Sequence, residues 1–131
     1  MSFKLTYMKR LLILIASILL VSSCFPLVDD TPKNDNYKLY NTEWSTESRQ
    51  EGLKFFKDDS VMYFSSYNKA SSTYEYSESD HYIIFDNLIA TFPSFTSEMP
   101  LAEMQADGTM KLYWHELGKT ENYYMILYRR R

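Results

Sequence analysis

The chain has 131 residues, room for one small domain, and its aromatic content of 17%, with 12 tyrosines but only 3 glycines, favours β-strands over glycine-rich phosphate loops. The formal net charge is −3, and because the first 23 residues carry three basic side chains and no acidic one, the remainder carries −6. Such an acidic chain lacks the positive surface that binds nucleic acid, and a single cysteine excludes an internal disulfide framework.

The first 23 residues have the layout of a secretory signal peptide. A positive region ending at Arg10 precedes the apolar run 11–21, and two serines follow. The run is about eleven residues long, well short of the roughly 20 that a membrane-spanning helix needs. The sequence therefore predicts an exported protein that loses residues 1–23, and Met8 is an alternative start that keeps the signal intact.

The residues around the predicted cleavage point resemble the bacterial lipobox. In Val21-Ser22-Ser23-Cys24 an aliphatic residue and two small residues precede the cysteine. The resemblance implies that Cys24 is joined to diacylglycerol and becomes the new N-terminus, and several acyl chains make such a membrane anchor stable. This places the protein in the bacterial cell envelope, lipid-anchored at the outer membrane. The alternative is an ordinary secretory signal followed by an incidental cysteine.

Residues 24–38 are predicted to form a short flexible tether, since they contain prolines, acidic and amide residues and no hydrophobic periodicity. Within them, Asp29-Asp30 resembles the short acidic export signals that follow the lipidated cysteine in surface lipoproteins of the Bacteroides group. Two locations stay open on this basis, the cell surface and the periplasmic face of the membrane.

Residues 39–131 are predicted to form one all-β domain, because apolar and polar side chains alternate with a period of two. In Met110–His115, for example, Met110, Leu112 and Trp114 share one face. Short, closely spaced strands joined by hairpins predict a small antiparallel up-and-down β-barrel of about eight strands. The candidate strands are residues 39–46, 52–56, 61–67, 72–76, 82–85, 88–92, 102–106, 110–115 and 123–129.

Two dipeptides between predicted strands consist of residues that are favoured in hairpin turns. Asp107-Gly108 is predicted to be a two-residue turn with positive φ at both positions, and Asp86-Asn87 is predicted to be a second such loop. The segment Leu101–Gln105 consists of good helix formers, but its shortness and the Asp-Gly that follows favour a strand.

Three segments resemble the small lipocalin-like, calycin-type lipoproteins of the Bacteroides group: Asn41–Trp44, Glu51–Ser60 and Tyr124–Arg130. The resemblance covers most of residues 39–131 and implies a barrel. In lipocalins a tryptophan of the first strand packs at the closed end, and an arginine near the end of the last strand lies over it. Trp44 matches the tryptophan, and Arg129 or Arg130 matches the arginine. Thr42 occupies the place of the family's Gly-x-Trp glycine.

Patterns for catalysis and metal binding are sparse. The two histidines are His81 and His115, and neither belongs to a metal-binding or nucleophile motif. His115-Glu116 begins like a zinc-protease motif, but the second histidine is missing. We therefore expect a protein that is not an enzyme and that holds no metal and no cofactor.

Aromatic side chains are the candidates for contact with a ligand or partner, because tyrosine combines rigid apolar area with a polar tip. Phe92–Pro100, with two phenylalanines and two prolines, is predicted to be a lid or contact loop at one barrel end. The alternative is that these rings fill the core of a short barrel, which is only just wide enough for side chains. The candidate residues are Tyr63, Tyr67, Tyr74, Tyr76, Phe92, Phe95 and Tyr113.

Two main functions follow from these predictions. The first is a lipid-anchored binding module whose barrel holds a small apolar ligand or docks onto an envelope partner. The second is a protein-facing inhibitor, immunity or accessory lipoprotein with a packed barrel. A ligand cavity would favour the first, and an exposed tyrosine patch without a pocket would favour the second. An enzyme, the third hypothesis, would need a cleft in which a histidine meets carboxylates.

Overall fold

The computed structural model describes residues 34–131, and this part of the chain is almost entirely β-structure. The predicted signal peptide, residues 1–23, and the predicted lipidation site, Cys24, lie outside the described residues. Within them, a short 3₁₀ helix, η1 (Asn36–Leu39), precedes nine strands. The strands are β1 (Glu43–Ser45), β2 (Gly52–Phe55), β3 (Ser60–Phe64), β4 (Lys69–Ser77), β5 (Tyr82–Phe85), β6 (Ile89–Thr91), β7 (Thr96–Met104), β8 (Met110–Glu116) and β9 (Asn122–Arg129).

Eight of these strands form a closed antiparallel barrel, and β6 is an extra strand. Each barrel strand pairs with the next in the chain, from β1 to β5 and then from β7 to β9. The barrel closes through β5 with β7 and through β1 with β9. The predicted small antiparallel barrel of about eight strands is confirmed. Closure removes most of the free edges that an open sheet of this size would expose.

Strand β6 continues the direction of β5 instead of turning back on it. Both strands pair antiparallel with β7, where Ile84 lies opposite Leu101 and Ala90 lies opposite Ser97. Asp86-Asn87 therefore interrupts one long strand, and the prediction of a hairpin loop there is wrong. Strand β7 is irregular beside this interruption, because its register with β8 shifts around Pro100. Proline has no N–H to donate, so a bulge is where a strand accommodates it.

The hairpin at Asp107-Gly108 is confirmed, but its geometry differs from the prediction. Gly108 has a φ of +88°, whereas Asp107 is outside the left-handed region. The Gly108 N–H donates to the Gln105 carbonyl over 3.0 Å. This is the arrangement of a three-residue loop, in which a type I turn is followed by a left-handed glycine. The Asp107 carboxylate adds a local bond, accepting from the Thr109 N–H over 3.0 Å.

The folded domain begins by Asn34, before the predicted boundary at Leu39. The buried Asn36 amide donates to the Tyr74 carbonyl over 2.9 Å and accepts from the Tyr76 N–H over 2.7 Å. Leu39 is buried in the core. Residues 34–38, predicted as part of the tether 24–38, therefore belong to the packed domain. A polar composition did not reveal this, since a buried asparagine that completes a strand edge looks like a linker residue in sequence.

The barrel has two different ends, which follow from the strand directions. We call the end covered by η1 the capped end, and it also carries the turns at residues 56–59, 78–81 and 105–109. We call the opposite end the mouth, and it carries the turns at residues 46–51, 65–68, 92–95 and 117–121. The core between them consists of inward-facing side chains at alternate positions, such as Leu53, Val61 and Leu127.

The seam between β1 and β9 contains the residues predicted to close the barrel. Trp44 is buried there, opposite Arg129 in the strand register. Arg130 joins the last strand to the first, because its guanidinium donates to Ser45 Oγ over 2.9 Å and to the Thr46 carbonyl over 2.8 Å. The guanidinium carbon of Arg130 lies 5.6 Å from the centre of the Tyr128 ring. Arg129 is exposed.

Candidate functional site

A small cavity of about 200 Å³ opens at the mouth of the barrel. Strands β3, β7, β8 and β9 supply inward-facing side chains to it, and the turns at residues 46–51 and 92–95 supply the rim. Its lining is mainly aromatic and thioether side chains, with few polar atoms. The lining residues are Glu51, Tyr63, Phe92, Phe95, Ser97, Met99, Trp114 and Met125.

Five rings cross the mouth in a continuous series, which we call the aromatic row: Tyr67, Phe92, Phe95, Trp114 and Tyr123. Phe92 and Phe95 stack with centroids 4.9 Å apart, and Trp114 stacks on Tyr123 at 4.7 Å. Phe95 links the two stacked pairs, 6.1 Å from Trp114. Tyr67 meets Phe92 edge-on at 6.1 Å. These are the separations at which aromatic pairs attract one another, so the row is held in place before any ligand arrives.

Local structure explains how the row is assembled. Trp114 lies near the mouth end of β8 and opposite Tyr123 of β9. Phe92 and Phe95 flank the tight turn between β6 and β7, where the Phe92 N–H donates to the Phe95 carbonyl over 2.8 Å. The predicted loop Phe92–Pro100 is therefore wrong in extent. Only residues 92–95 form the turn, and β7 begins at Thr96.

Glu51 and Tyr63 form the polar part of the cavity. The Tyr63 hydroxyl donates to Glu51 Oε2 over 2.6 Å, although the Tyr63 side chain is only 1% exposed. Burial, and after it the hydrogen bond to Glu51, raises the pKa of Tyr63. Glu51 is the one charged side chain among the lining residues. The lining of this cavity therefore presents a single carboxylate within a mainly aromatic wall.

A second aromatic surface lies on the outer wall of the barrel, and we call it the outer row: Ile84, Leu101, Tyr113 and Tyr124. These residues face one another in register across β5, β7, β8 and β9. Ile84 is 47% exposed and Tyr124 is 58% exposed. A shallow groove of about 340 Å³ runs beside them, bounded also by Tyr82.

Charged side chains flank the outer row. The Lys111 ammonium lies 4.4 Å from the centre of the Tyr124 ring, and the Tyr113 hydroxyl donates to Glu103 Oε1 over 3.1 Å. Polar groups around an apolar centre are typical of surfaces that bind other proteins.

The seven predicted contact residues fall into three places. Tyr63, Tyr67, Phe92 and Phe95 come together at the mouth, and Tyr113 belongs to the outer row. Tyr74 and Tyr76 are buried in the core towards the capped end. The Tyr74 ring packs edge-on against Phe55 with centroids 4.9 Å apart. For these two tyrosines the structure supports the alternative of core packing.

Sequence reasoning missed several residues of both surfaces. The sequence pattern predicts strands at Trp114 and Met125 but no site there, and it does not distinguish Glu51 from other acidic turn residues. The alternation in β8 did place Trp114 on the inner face, and its position at the end of the strand was the available signal for the mouth. No comparable signal existed for Glu51, which lies in a turn.

The two histidines lie at opposite ends of the domain. His81 is in the turn at residues 78–81, with a φ of +66°, and His115 Nε2 lies 3.0 Å from Glu98 Oε1 on the outer wall. Among residues 34–131, no group of three or more His, Cys, Asp or Glu side chains has an arrangement that could hold a metal ion. The same residues contain no helix that is long and apolar enough to cross a membrane.

Comparison of the chain with protein families, curated proteins and solved structures finds no match. The geometry of the mouth and of the outer row is therefore the basis for a functional assignment.

Proposed function

We propose that the protein is a lipid-anchored lipoprotein of the bacterial cell envelope, and that its barrel is a non-enzymatic binding module that holds a small, largely apolar ligand group at the mouth. The aromatic-lined cavity carries this proposal. Binding sites for small molecules are typically concave, preformed and apolar, with a few polar groups that fix orientation. The aromatic row supplies the preformed apolar wall, and Glu51 and Tyr63 supply the polar groups.

The size of the cavity limits the ligand. Its volume of about 200 Å³ is below the roughly 300–1,000 Å³ of pockets for drug-sized molecules. At about 30 Å³ per water molecule, it has room for about six or seven non-hydrogen atoms. Met99 and Leu112 fill the barrel interior. A ligand therefore places a small group in the mouth, and any larger remainder lies outside the barrel.

The sequence near the N-terminus supports the membrane anchor in this proposal. The lipobox-like Val21–Cys24 predicts lipidation of Cys24. A relationship to lipocalin-like lipoproteins is part of the same proposal, and the chain-order barrel with a buried Trp44 supports it.

The test uses Trp114 as a reporter inside the site. In a Trp44→Phe background Trp114 is the remaining tryptophan, and we expect its fluorescence to change on titration with 3,3-dimethylbutan-1-ol, a compact apolar probe. Phe95→Ala should weaken binding about fivefold or more, since it removes part of the wall. Tyr37→Ala, an exposed ring at the capped end, is the matched control and should bind as before. Fluorescence that does not respond to the probe would argue against the mouth as a binding site.

The outer row favours a second candidate function, in which the barrel docks onto an envelope protein. Four outward-facing apolar or aromatic residues in register across four strands are the observation behind it. A photo-crosslinking amino acid at Tyr124 should then join the protein to one defined envelope partner in cells, whereas the same group at Tyr37 should not. Equal labelling from both positions would leave this candidate without support.

A further inference from the structure

The charge of the mouth cavity points to the chemical class of its ligand. Its only charged lining residue is Glu51, and its lining contains no lysine or arginine. One Glu51 oxygen accepts the Tyr63 hydroxyl, and the ion pairs found among residues 34–131 do not include Glu51. The carboxylate is therefore free to balance the charge of a ligand. An anionic ligand would meet the same carboxylate, and no lining residue would supply a compensating cation.

The rings add a second attraction for positive charge. Aromatic faces carry partial negative charge, and an organic cation within about 6 Å of a ring centroid is attracted to it. Four lining residues are aromatic: Tyr63, Phe92, Phe95 and Trp114. Met99 and Met125 contribute soft, polarisable thioethers beside them. Rings together with one carboxylate form the arrangement that recognises alkylated ammonium groups in aromatic cages.

Other ligand classes fit less well. A metal cation such as Ca²⁺ needs six or more oxygen ligands, roughly, and the lining offers one carboxylate and two hydroxyls. A sugar would need several polar partners, and most of the wall is apolar. A trimethylammonium group is compact, positively charged and apolar at its surface. With a short alkyl chain it has about seven non-hydrogen atoms, which matches the cavity volume.

We propose that the mouth binds a small organic cation of the alkylammonium class, with the positive group between Glu51 and the rings of Phe95 and Trp114. This inference rests on the proposed function, because it specifies the ligand of the same cavity. The cation can come from a free solute or from a lipid headgroup, and the shared chemistry is the alkylated ammonium group.

The experiment compares choline with 3,3-dimethylbutan-1-ol, its uncharged carbon isostere. The mature protein, extracted in a non-ionic detergent, is titrated with each probe while Trp114 fluorescence is followed in the Trp44→Phe background. Because the probes have the same shape, their difference measures the contribution of charge. We expect choline to bind at least about fivefold more tightly, and added NaCl to weaken the binding of choline but not of the isostere.

Substitution of Glu51 supplies the structural test. Glu51→Gln keeps the shape of the side chain and its hydrogen bond to Tyr63 but removes the charge, so choline should bind at least about fivefold more weakly and the isostere as before. Glu47→Gln, in the same turn but outside the cavity lining, is the control and should change neither affinity. Circular dichroism checks that both variants fold. If Glu51→Gln does not fold, the effect of NaCl on choline affinity in the protein with Glu51 intact still shows whether charge contributes to binding.

The outcomes separate the two proposals. Equal affinity for choline and its isostere, with no effect of salt, would overturn the cation assignment and leave binding at the mouth intact. No response to either probe would overturn both proposals. Reconstitution in vesicles distinguishes the sources of the cation. If added choline no longer changes Trp114 fluorescence in phosphatidylcholine vesicles but still does so in phosphatidylglycerol vesicles, the lipid headgroup occupies the site. If the fluorescence response to choline is the same in both kinds of vesicle, the ligand is a free solute.

Discussion

At the scale of single residues, the same side chain can belong to both the core and the site. Tyr63 packs inside the barrel with 1% of its surface exposed, yet its hydroxyl orients the Glu51 carboxylate at the mouth. Tyr74 has a similar position at the capped end, where its hydroxyl donates to the Asn36 carbonyl over 3.3 Å. Each phenol satisfies its polar atom while its ring fills the interior, which is the usual condition for burying tyrosine.

These buried phenols predict that the protein loses stability in alkali. Burial is the main cause that raises the pKa of Tyr63 and of Tyr74. A group whose pKa is raised by folding holds its proton more tightly in the folded state. The stability it contributes is therefore complete below the ordinary tyrosine pKa of about 10 and is lost as the pH rises towards the folded-state value.

Urea denaturation at a series of pH values measures this effect. We expect a constant midpoint between about pH 7 and pH 9 and a falling midpoint above about pH 10. The double variant Tyr63→Phe, Tyr74→Phe should show a smaller decline. Ultraviolet titration should show the exposed tyrosines ionising before the buried ones. A single ionisation step for all tyrosines, with the fold intact, would contradict the expectation.

At the scale of elements, the strands are short and depend on close contact between neighbours. Gly52 is the clearest case, and it lies opposite Ser45 in the register of β1 and β2. A Cβ at this position would lie 1.9 Å from the Trp44 carbonyl oxygen. The oxygen belongs to the backbone, so the strand itself would have to move. Glycine is therefore required here for space and not for a special φ.

Gly52→Ala should lower the free energy of unfolding by about 3 kcal/mol, since forced backbone shifts in a packed region cost about that much. Gly108→Ala is the comparison. Its Cβ would meet no atom within 4 Å, but its φ of +88° disfavours any side chain, so we expect a loss of about 1 kcal/mol. Urea denaturation of both variants measures the difference. A loss at Gly52 no larger than that at Gly108 would show that β1 and β2 separate easily.

The elements also show how far local sequence is informative. The alternation in Met110–His115 predicted β8 correctly except for its last residue, Glu116. The Asp107-Gly108 dipeptide before it predicted the hairpin between β7 and β8. Asp86-Asn87 also consists of turn-forming residues, but it forms a break between β5 and β6, which run in the same direction. The difference depends on β7, whose two halves pair with β5 and β6. A turn-forming dipeptide predicts that a strand is interrupted. Whether the chain reverses direction at that point depends on how the flanking segments pair with a neighbouring strand.

At the scale of the whole molecule, membrane attachment is proposed to depend on one cysteine near the N-terminus. Cys24→Ser removes the thiol that would carry the lipid, so we expect the protein to leave the membrane fraction or to remain unprocessed with its leader attached. Cell fractionation and mass spectrometry of the product measure this. Thr31→Ser, within the predicted tether, is a control that should not change location. A normal membrane pool with an unchanged mature mass in Cys24→Ser would exclude lipidation at this residue.

The sequence by itself determined the fold class and the approximate strands, because a period of two records which side chains face inward along a strand. It did not determine how far along the barrel each inward residue lies. Tyr63, Tyr74 and Trp114 all face inward, and their position along the barrel distinguishes Tyr74, towards the capped end, from Tyr63 and Trp114, which line the mouth cavity. Depth depends on strand register and on closure between distant strands, which are properties of the tertiary structure. The mouth cavity, with Glu51 brought beside rings from three separate segments, exists only once the barrel has closed.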